Sequence, residues 1–146
     1  MAAFTKFNQF VADLASGVHQ CQTGTSHAFK IMFTNTEPAA TAAEYGNLSS
    51  TELANGNGYT TGGLATGTVT GAQTSGTFKF SLGTDPVLTA TGTCGPFRYA
   101  VLYNNTPTSP LKPVIGYWDY GSSVTLNSGE TFTVDLDQAA GIFTLA

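Results

Sequence analysis

The sequence predicts an all-β fold, a β-sandwich or squashed barrel of about eight short strands with one N-terminal helix. The 146-residue chain is rich in threonine, which suits pleated strands, and its 17 glycines suit turns. Charged residues make up only 10% of the chain, against about 25% in typical domains. Short alternating apolar segments, separated by turn residues, recur from residue 27 onward.

One helical segment is expected near the N-terminus, over about residues 5–18. Thr5 is its candidate N-cap and Gly17 its candidate stop. A helix this short must pack on something, either the core of its own domain or a neighbouring subunit. The expected apolar stripe contains Phe7, Phe10, Val11, Leu14 and Val18, and the polar side contains Lys6, Gln9, Asp13 and Ser16.

The strand signals follow after a polar loop. In residues 27–34 the side chains of Phe29, Ile31 and Phe33 alternate onto one face of a half-buried strand. Residues 97–103 are almost continuously apolar, which is typical of a central strand covered on both faces. Residues 124–126 and 130–137 are predicted to form a hairpin across a glycine-containing turn. Further strands are predicted over residues 64–70, 77–82, 87–91, 114–120 and 142–145.

Residues 35–63 differ from the rest and predict a long loop with one short ordered piece near residues 51–53. A loop of this length is usually functional or an interaction arm. Its glycines lack the Lys and Ser/Thr of a P-loop, so nucleotide binding is not expected. No boundary or repeat is visible, and residues 1–146 are expected to form a single β-rich domain. The predicted strands carry few of the charged residues that protect sheet edges, which favours an assembly.

Charge and hydropathy exclude several partners. The chain has a net charge of −4 with only five Lys and Arg, and these do not cluster, so no nucleic-acid partner is expected. The longest apolar stretch, residues 99–103, is far too short to span a membrane, so no membrane partner is expected. The N-terminus lacks the pattern of a secretory signal, which predicts that the protein is made in a cytoplasm and kept there unless it leaves by lysis or inside a larger particle.

No set of residues predicts an active site, so we expect no enzyme, catalytic residue, cofactor or metal site. Cys21 and Cys94 are interpreted as free buried thiols, with a disulfide as the alternative. A metal site at His19, Cys21 and His27 is a further alternative, although the spacing lacks a paired second half.

Two surface groups remain open to more than one interpretation. Asp135 and Asp137 share a strand face, and Asp119 or Glu130 could approach them. These carboxylates are interpreted as solvated charges, as a calcium site or as the acid pair of a glycosidase. In the strand predicted over residues 114–120, Trp118 and Tyr120 lie on one face, and Tyr117 and Asp119 lie on the other. They either pack in a core or subunit contact, or stack on sugar rings.

Five segments of the chain carry a resemblance to a known family: residues 4–19, 33–38, 55–63, 95–104 and 116–121. Together they resemble a family of small structural proteins of tailed bacteriophages, in particular capsid decoration (cement) proteins. Their order and spacing cover most of the chain, whereas residues 20–25 and 39–53 match least well.

The resemblance implies a virion protein on the capsid surface that binds the expanded lattice and bridges neighbouring subunits of the major capsid protein. It carries over no catalytic residues. It also implies a homo-oligomer, with a trimer favoured. A tail or fibre component and a carbohydrate-binding β-sandwich module are the alternatives. Within the decoration hypothesis, capsid or subunit contacts are expected at Phe4, Phe7 and Phe10 of the N-terminal segment and at Asn55, Asn57 and Tyr59 of the long loop.

Overall fold

The computed structural model describes residues 2–146, which form ten β-strands and one α-helix, as the all-β prediction requires. Helix α1 spans Asn8–Ala15 and lies between the first two strands. The strands are β1 (Phe4–Lys6), β2 (Phe29–Thr34), β3 (Leu64–Ala65), β4 (Ala72–Thr74), β5 (Thr77–Phe80), β6 (Val87–Thr89), β7 (Cys94–Asn104), β8 (Val114–Leu126), β9 (Thr131–Thr133) and β10 (Phe143–Leu145).

Five strands form one antiparallel sheet, the main sheet, in the order β1-β8-β7-β2-β3. Its central strand β7 pairs with β2 from Phe29 opposite Asn104 to Thr34 opposite Tyr99. Nearly all of β7 is buried because both faces of the main sheet are covered. The continuous apolar sequence of this segment predicts that position, and the prediction is confirmed.

Each face of the main sheet has its own hydrophobic core. On one face Ile31, Phe33 and their neighbours pack against two smaller sheets, β10-β5-β4 and β6-β9, in a sandwich-like arrangement. On the other face Met32 and Val101 pack against Leu48 and the segment around it. This division follows from the alternation of side chains along β2 and β7.

The long segment 35–63 is an ordered cover over that second face rather than a free arm. It contains two short 3-10 helices, Tyr45–Asn47 and Ser49–Thr51. Beyond these helices the segment is tied to β2, because the Leu53 amide donates a 2.7 Å hydrogen bond to the carbonyl of Phe33. Residues 54–58 form its longest exposed run, and elsewhere exposed residues alternate with buried ones such as Ala42, Leu48 and Leu53, so the segment is packed against the domain along much of its length.

The N-terminal segment begins as a strand, and the helix is shorter than the sequence predicts. Phe4–Lys6 pair with β8, so Thr5 lies within β1 and is not the N-cap. The helix starts only at Asn8, after an extended Phe7. Pairing with β8 satisfies backbone groups of residues 4–6 and places the Phe4 ring 5.1 Å from the ring of Trp118.

The faces of α1 also differ from the predicted stripe. Val11 is 52% exposed, whereas the polar Asp13 is only 6% exposed and lies on the side of Phe10. The predicted stop is confirmed: Gly17 has a φ of +75°, and the Val18 amide donates to the carbonyl of Asp13 at 2.9 Å. This is a Schellman ending, in which a left-handed glycine lets the chain turn away from the helix.

The predicted hairpin has the expected turn but the wrong partner strands. The Glu130 amide donates to the carbonyl of Asn127 at 3.0 Å, which closes the turn. The residues before it, Val124–Leu126, continue β8 and pair with β7, whereas β9 pairs with β6. The pairing with β6 packs the half-buried Phe132 ring against the core, 5.1 Å from the ring of Phe97. The partner of β9 thus depends on a distant contact, which local alternation does not encode.

A second hairpin, β4-β5, is missing from the sequence prediction. Ser75 and Gly76 have φ angles of +50° and +84° and form a two-residue turn between Thr74 and Thr77. Both positive angles are typical of the turn that joins tight antiparallel hairpins, and a Ser-Gly pair is a recognised signal for it. The strand predicted over residues 64–70 is reduced to β3, and the other predicted strands are present.

Candidate functional site

The predicted N-terminal contact residues lie mostly in the core. Phe7 is fully buried and Phe10 is 4% exposed, so neither ring offers a surface to another molecule in this fold. The exposure that the contact hypothesis assigned to them is therefore wrong. Phe4 is half-buried against Trp118 and is the one of the three whose ring is partly accessible.

The predicted contact residues of the long loop divide in the same way. Asn55 and Asn57 are exposed at the loop tip, where the Asn57 amide group donates to the carbonyl of Thr93 at 2.7 Å. Tyr59 is only 2% exposed, which overturns its assignment to the surface. The backbone at Gly58 reaches so close to Thr89 that an added Cβ would lie 2.0 Å from the Thr89 carbonyl oxygen. That close approach carries the following Tyr59 side chain inward.

Tyr59 belongs to a buried hydrogen-bond network centred on Glu52. Its hydroxyl donates to Glu52 Oε1 at 2.6 Å and accepts the Phe33 amide at 3.3 Å. The hydroxyl of Tyr45 donates to the other carboxylate oxygen, Oε2. Burial, with the hydrogen bond to Glu52 second, raises the pKa of both tyrosines well above the usual range. The network is structural, because it fixes the long segment to β2.

Two edge strands lie in a part of the chain that has no charged residues. Residues 53–78 contain no Asp, Glu, Lys or Arg, and they include the edge strands β3 and β4. All three residues of β4 are exposed. Lys79 of β5 lies opposite Ala72, but its ammonium group donates to the carbonyl of Ala139 at 2.9 Å. Its charge is therefore not placed along the β4 edge. In the sequence, the Ser-Gly turn before β5 is the feature that indicates the β4-β5 hairpin and therefore the presence of β4.

The aromatic residues of β8 share a face, but only one of them is open. Trp118 is 8% exposed and is covered in part by Phe4, so of the two interpretations of this residue the structure supports core packing. Tyr120 is 59% exposed, and its ring lies 5.3 Å from that of Phe132 at 76°. Tyr120 projects from a protrusion of β8. Asp119 pairs with Tyr99 of β7, and the next paired residues are Val124 and Phe97, so the part of β8 between Asp119 and Val124 is longer than the part of β7 that it faces.

An open cleft of about 380 Å³ lies between β8 and the β9 segment. Trp118, Tyr120 and Phe132 line its aromatic side, and Arg98 and Asp135 contribute charged groups. The sequence predicts a role for the two β8 aromatics but not for Arg98 and Phe132. Those two residues come from strands whose partners are set by long-range pairing, so local patterns do not bring them together.

Arg98 and Asp119 form a bidentate pair beside the cleft. The guanidinium donates from Nε and Nη2 to the two carboxylate oxygens at 2.7 and 2.8 Å. Asp119 Oδ1 also accepts the Gly121 amide at 2.7 Å. The hydrogen bond from Arg98, followed by that from Gly121, lowers the pKa of Asp119 to about 2. A carboxylate held ionised in this way cannot serve as the proton donor of a glycosidase.

The other candidate carboxylates are engaged in local turns. Asp135 Oδ1 accepts the Asp137 amide at 2.9 Å, and Asp137 Oδ1 accepts the Ala140 amide at 3.0 Å. Glu130 Oε2 accepts the Asn127 amide at 2.6 Å. Over residues 2–146 no three His, Cys, Asp or Glu side chains converge as a metal site would require. The solvated-charge interpretation describes these groups best.

The two histidines meet at Asn104, at the end of β7. Its amide nitrogen lies 2.8 Å from Nδ1 of His27 and 3.4 Å from Nδ1 of the buried His19. The Thr106 amide donates to Asn104 Oδ1, which orients the amide so that its nitrogen faces both rings. Each ring therefore accepts at Nδ1 and carries its proton on Nε2. His19 Nε2 and Asp13 Oδ2 are buried without a hydrogen-bond partner in the described part of the chain.

Both cysteines are free and buried, in agreement with the free-thiol interpretation. Burial raises the pKa of Cys21 to about 12 and that of Cys94 in the same direction. The geometry does not support the metal site considered for His19, Cys21 and His27, because no three His, Cys, Asp or Glu side chains converge within residues 2–146.

Comparison with protein families, characterised proteins and solved structures finds no match to this chain. Within residues 2–146, no helix has the length and apolar character needed to cross a membrane.

Proposed function

We propose that this chain is a structural protein of a tailed-bacteriophage virion, located on the capsid surface, that stabilises the expanded lattice as a decoration (cement) protein. The sequence resemblance supplies the setting, and the uncharged edge at β4 carries the structural argument. Ala72, Gln73 and Thr74 are exposed and lack the charge, proline or bulge that commonly keeps other strands from an edge. Such an edge suits a protein to which another chain is added.

The proposed partner is the major capsid protein, and the proposed state is a homo-oligomer, with a trimer favoured. β4 offers only three residues of backbone, so one edge contact contributes few hydrogen bonds. Several such contacts made together by one oligomer bind far more tightly than a single one. A closed symmetric oligomer also matches the local symmetry axes of a shell.

Stabilisation of the shell requires a preference for one of its states. A ligand shifts an equilibrium only by the difference between its affinities for the two states. The proposed protein therefore binds the expanded lattice better than the procapsid or the free capsid subunit. Binding of this kind opposes loss of the expanded shell under internal DNA pressure.

The test is a binding assay on shells of the phage that encodes the chain. Purified protein is mixed with expanded shells that lack it, or with procapsids, and the bound fraction is measured after sedimentation. Gln73→Lys places a charge on β4, and Ser26→Lys places the same charge on an exposed loop position. We expect saturable binding to expanded shells, about tenfold weaker for Gln73→Lys and unchanged for Ser26→Lys.

Two results would overturn the proposal. One is equal binding to procapsids and expanded shells, which removes the stabilising mechanism. The other is the absence of binding to either shell, which moves the protein to the tail or fibre or out of the virion. Equal affinities of Gln73→Lys and wild type would instead reject β4 as the contact edge.

A further inference from the structure

The cleft between β8 and β9 combines an open aromatic ring with fixed polar groups. We propose that it binds a neutral pyranose ring of a glycan, which stacks on Tyr120 and hydrogen-bonds to Arg98 and Asp135. This activity goes beyond the proposed function, because it requires neither a capsid nor an assembled virion.

The aromatic wall is held in place by packing. Tyr120 is 59% exposed, and its remaining surface is supported by the Phe132 ring at 5.3 Å and 76°. The β8 protrusion that carries Tyr120 is fixed by the hydrogen bond from the Gly121 amide to Asp119, at 2.7 Å. An exposed aromatic side chain whose position is fixed before binding loses little conformational entropy when a ligand covers it.

The polar groups are also positioned before binding. Arg98 uses two of the five guanidinium N–H groups on Asp119, which leaves three donors in a fixed plane. On the β9 side Asp135 is exposed, and its carboxylate accepts one backbone amide, which leaves further acceptor sites. Donors and acceptors on opposite walls of an aromatic cleft suit adjacent hydroxyl groups of a sugar. The volume of about 380 Å³ is near the lower end for small-molecule sites, roughly 300–1,000 Å³.

Charge selects a neutral sugar over an acidic one. Among the described residues that line the cleft, Arg98 is the one cationic side chain, and Asp119 neutralises it at 2.7 Å. Asp135 then leaves the cleft with a net negative charge. A sugar carboxylate would be repelled by that charge, and no free cationic side chain among the cleft residues of the described part of the chain would compensate it.

The experiment uses the isolated protein and NMR spectroscopy. Trp118 is the single tryptophan and lines the cleft, so its indole N–H signal reports on occupancy. The probes are the methyl glycosides of glucose, galactose, mannose and N-acetylglucosamine, with methyl glucuronide as the acidic control. We expect at least one neutral glycoside to shift the Trp118 signal saturably with a millimolar Kd, and the glucuronide not to shift it.

Variants separate stacking from general effects on the fold. Tyr120→Ala should bind about tenfold more weakly, which is equivalent to about 1.4 kcal/mol for one aromatic contact. Tyr120→Phe keeps the ring and should retain the affinity within about threefold. Leu111→Ala, at an exposed apolar position outside the cleft, should bind as wild type does.

The proposal is overturned if none of the neutral glycosides shifts the Trp118 signal, or if Tyr120→Ala binds as tightly as wild type. Binding of the glucuronide with equal affinity would refute the selection of neutral sugars. None of these results bears on the binding of shells, so failure here is distinguishable from failure of the decoration proposal.

Discussion

The buried His19 makes the stability of this protein sensitive to mild acid. Its side chain is 4% exposed, with the Phe10 ring 5.4 Å away and Asn104 at Nδ1. Burial lowers the pKa of His19 from 6.5 to about 4, against the opposing charge of Asp13 and with a small contribution from His27. The folded state therefore keeps this ring neutral where the unfolded chain would protonate it.

The direction and size of the effect follow from proton linkage. Between pH 6.5 and 4 the unfolded state binds more protons at His19 than the folded state does, so stability falls as pH falls. The contribution of the neutral His19 ring to the free energy of unfolding is fully present above pH 6.5 and is lost progressively as the pH falls towards 4. A shift from 6.5 to about 4 corresponds to about 3 kcal/mol in the free energy of unfolding. The pKa of His27 is also lowered by burial, which adds to the loss with the same sign.

The assay is urea unfolding at a series of pH values from 7.5 to 4.5, for wild type and His19→Gln. The wild-type free energy of unfolding should fall by about 2 to 3 kcal/mol over this range, and the slope for His19→Gln should be much shallower. NMR titration of the His19 ring protons provides a direct check that does not depend on folding of the variant. A His19 pKa at or above 6.5, or equal slopes for the two proteins, would refute the reasoning.

Three further predictions concern stability and reactivity. Tyr59→Phe removes a hydroxyl that serves a buried amide and a carboxylate, and should lower the free energy of unfolding by about 1–3 kcal/mol in urea melts; an unchanged value would contradict the role of the network. At Gly63 an added Cβ would lie 2.0 Å from a β2 carbonyl oxygen, whereas at Gly17 it would meet open space, although φ is positive at both. Thermal melts should therefore show a loss of about 1 kcal/mol for Gly17→Ala and a much larger loss or no folding for Gly63→Ala, and equal losses would contradict this account. Cys21 and Cys94 should not react with a thiol reagent in the native protein, and both should react in denaturant; fast labelling of the native state would exclude their burial.

The sequence predicts those parts of the fold that depend on local patterns. Alternation in Phe29–Thr34 and the apolar run within β7 identify two neighbouring strands of the main sheet because burial on one or both faces leaves a direct trace in the sequence. Gly17 is identified because a left-handed helix ending needs a residue without a Cβ.

What the sequence does not predict depends on distant partners. Pairing between β9 and β6 packs the half-buried Phe132 against the core, and no feature of the local hairpin pattern encodes that choice. Asp13 breaks the apolar pattern of α1, yet it is buried beside another polar side chain, His19. Tyr59 follows a glycine-rich tip that suggests exposure, but the close approach at Gly58 carries it inward. The cleft lined by Arg98 and Tyr120 could be found only once strand partners were known.

The central claim is that the protein covers the capsid, and its copy number in virions tests that claim most directly. Quantitative mass spectrometry of purified virions measures the ratio of this chain to the major capsid protein. We predict a ratio comparable to that of the capsid protein, as expected for a component that occupies sites over the whole shell. A handful of copies would place the protein in the tail or fibre, and its absence would contradict a role in the virion.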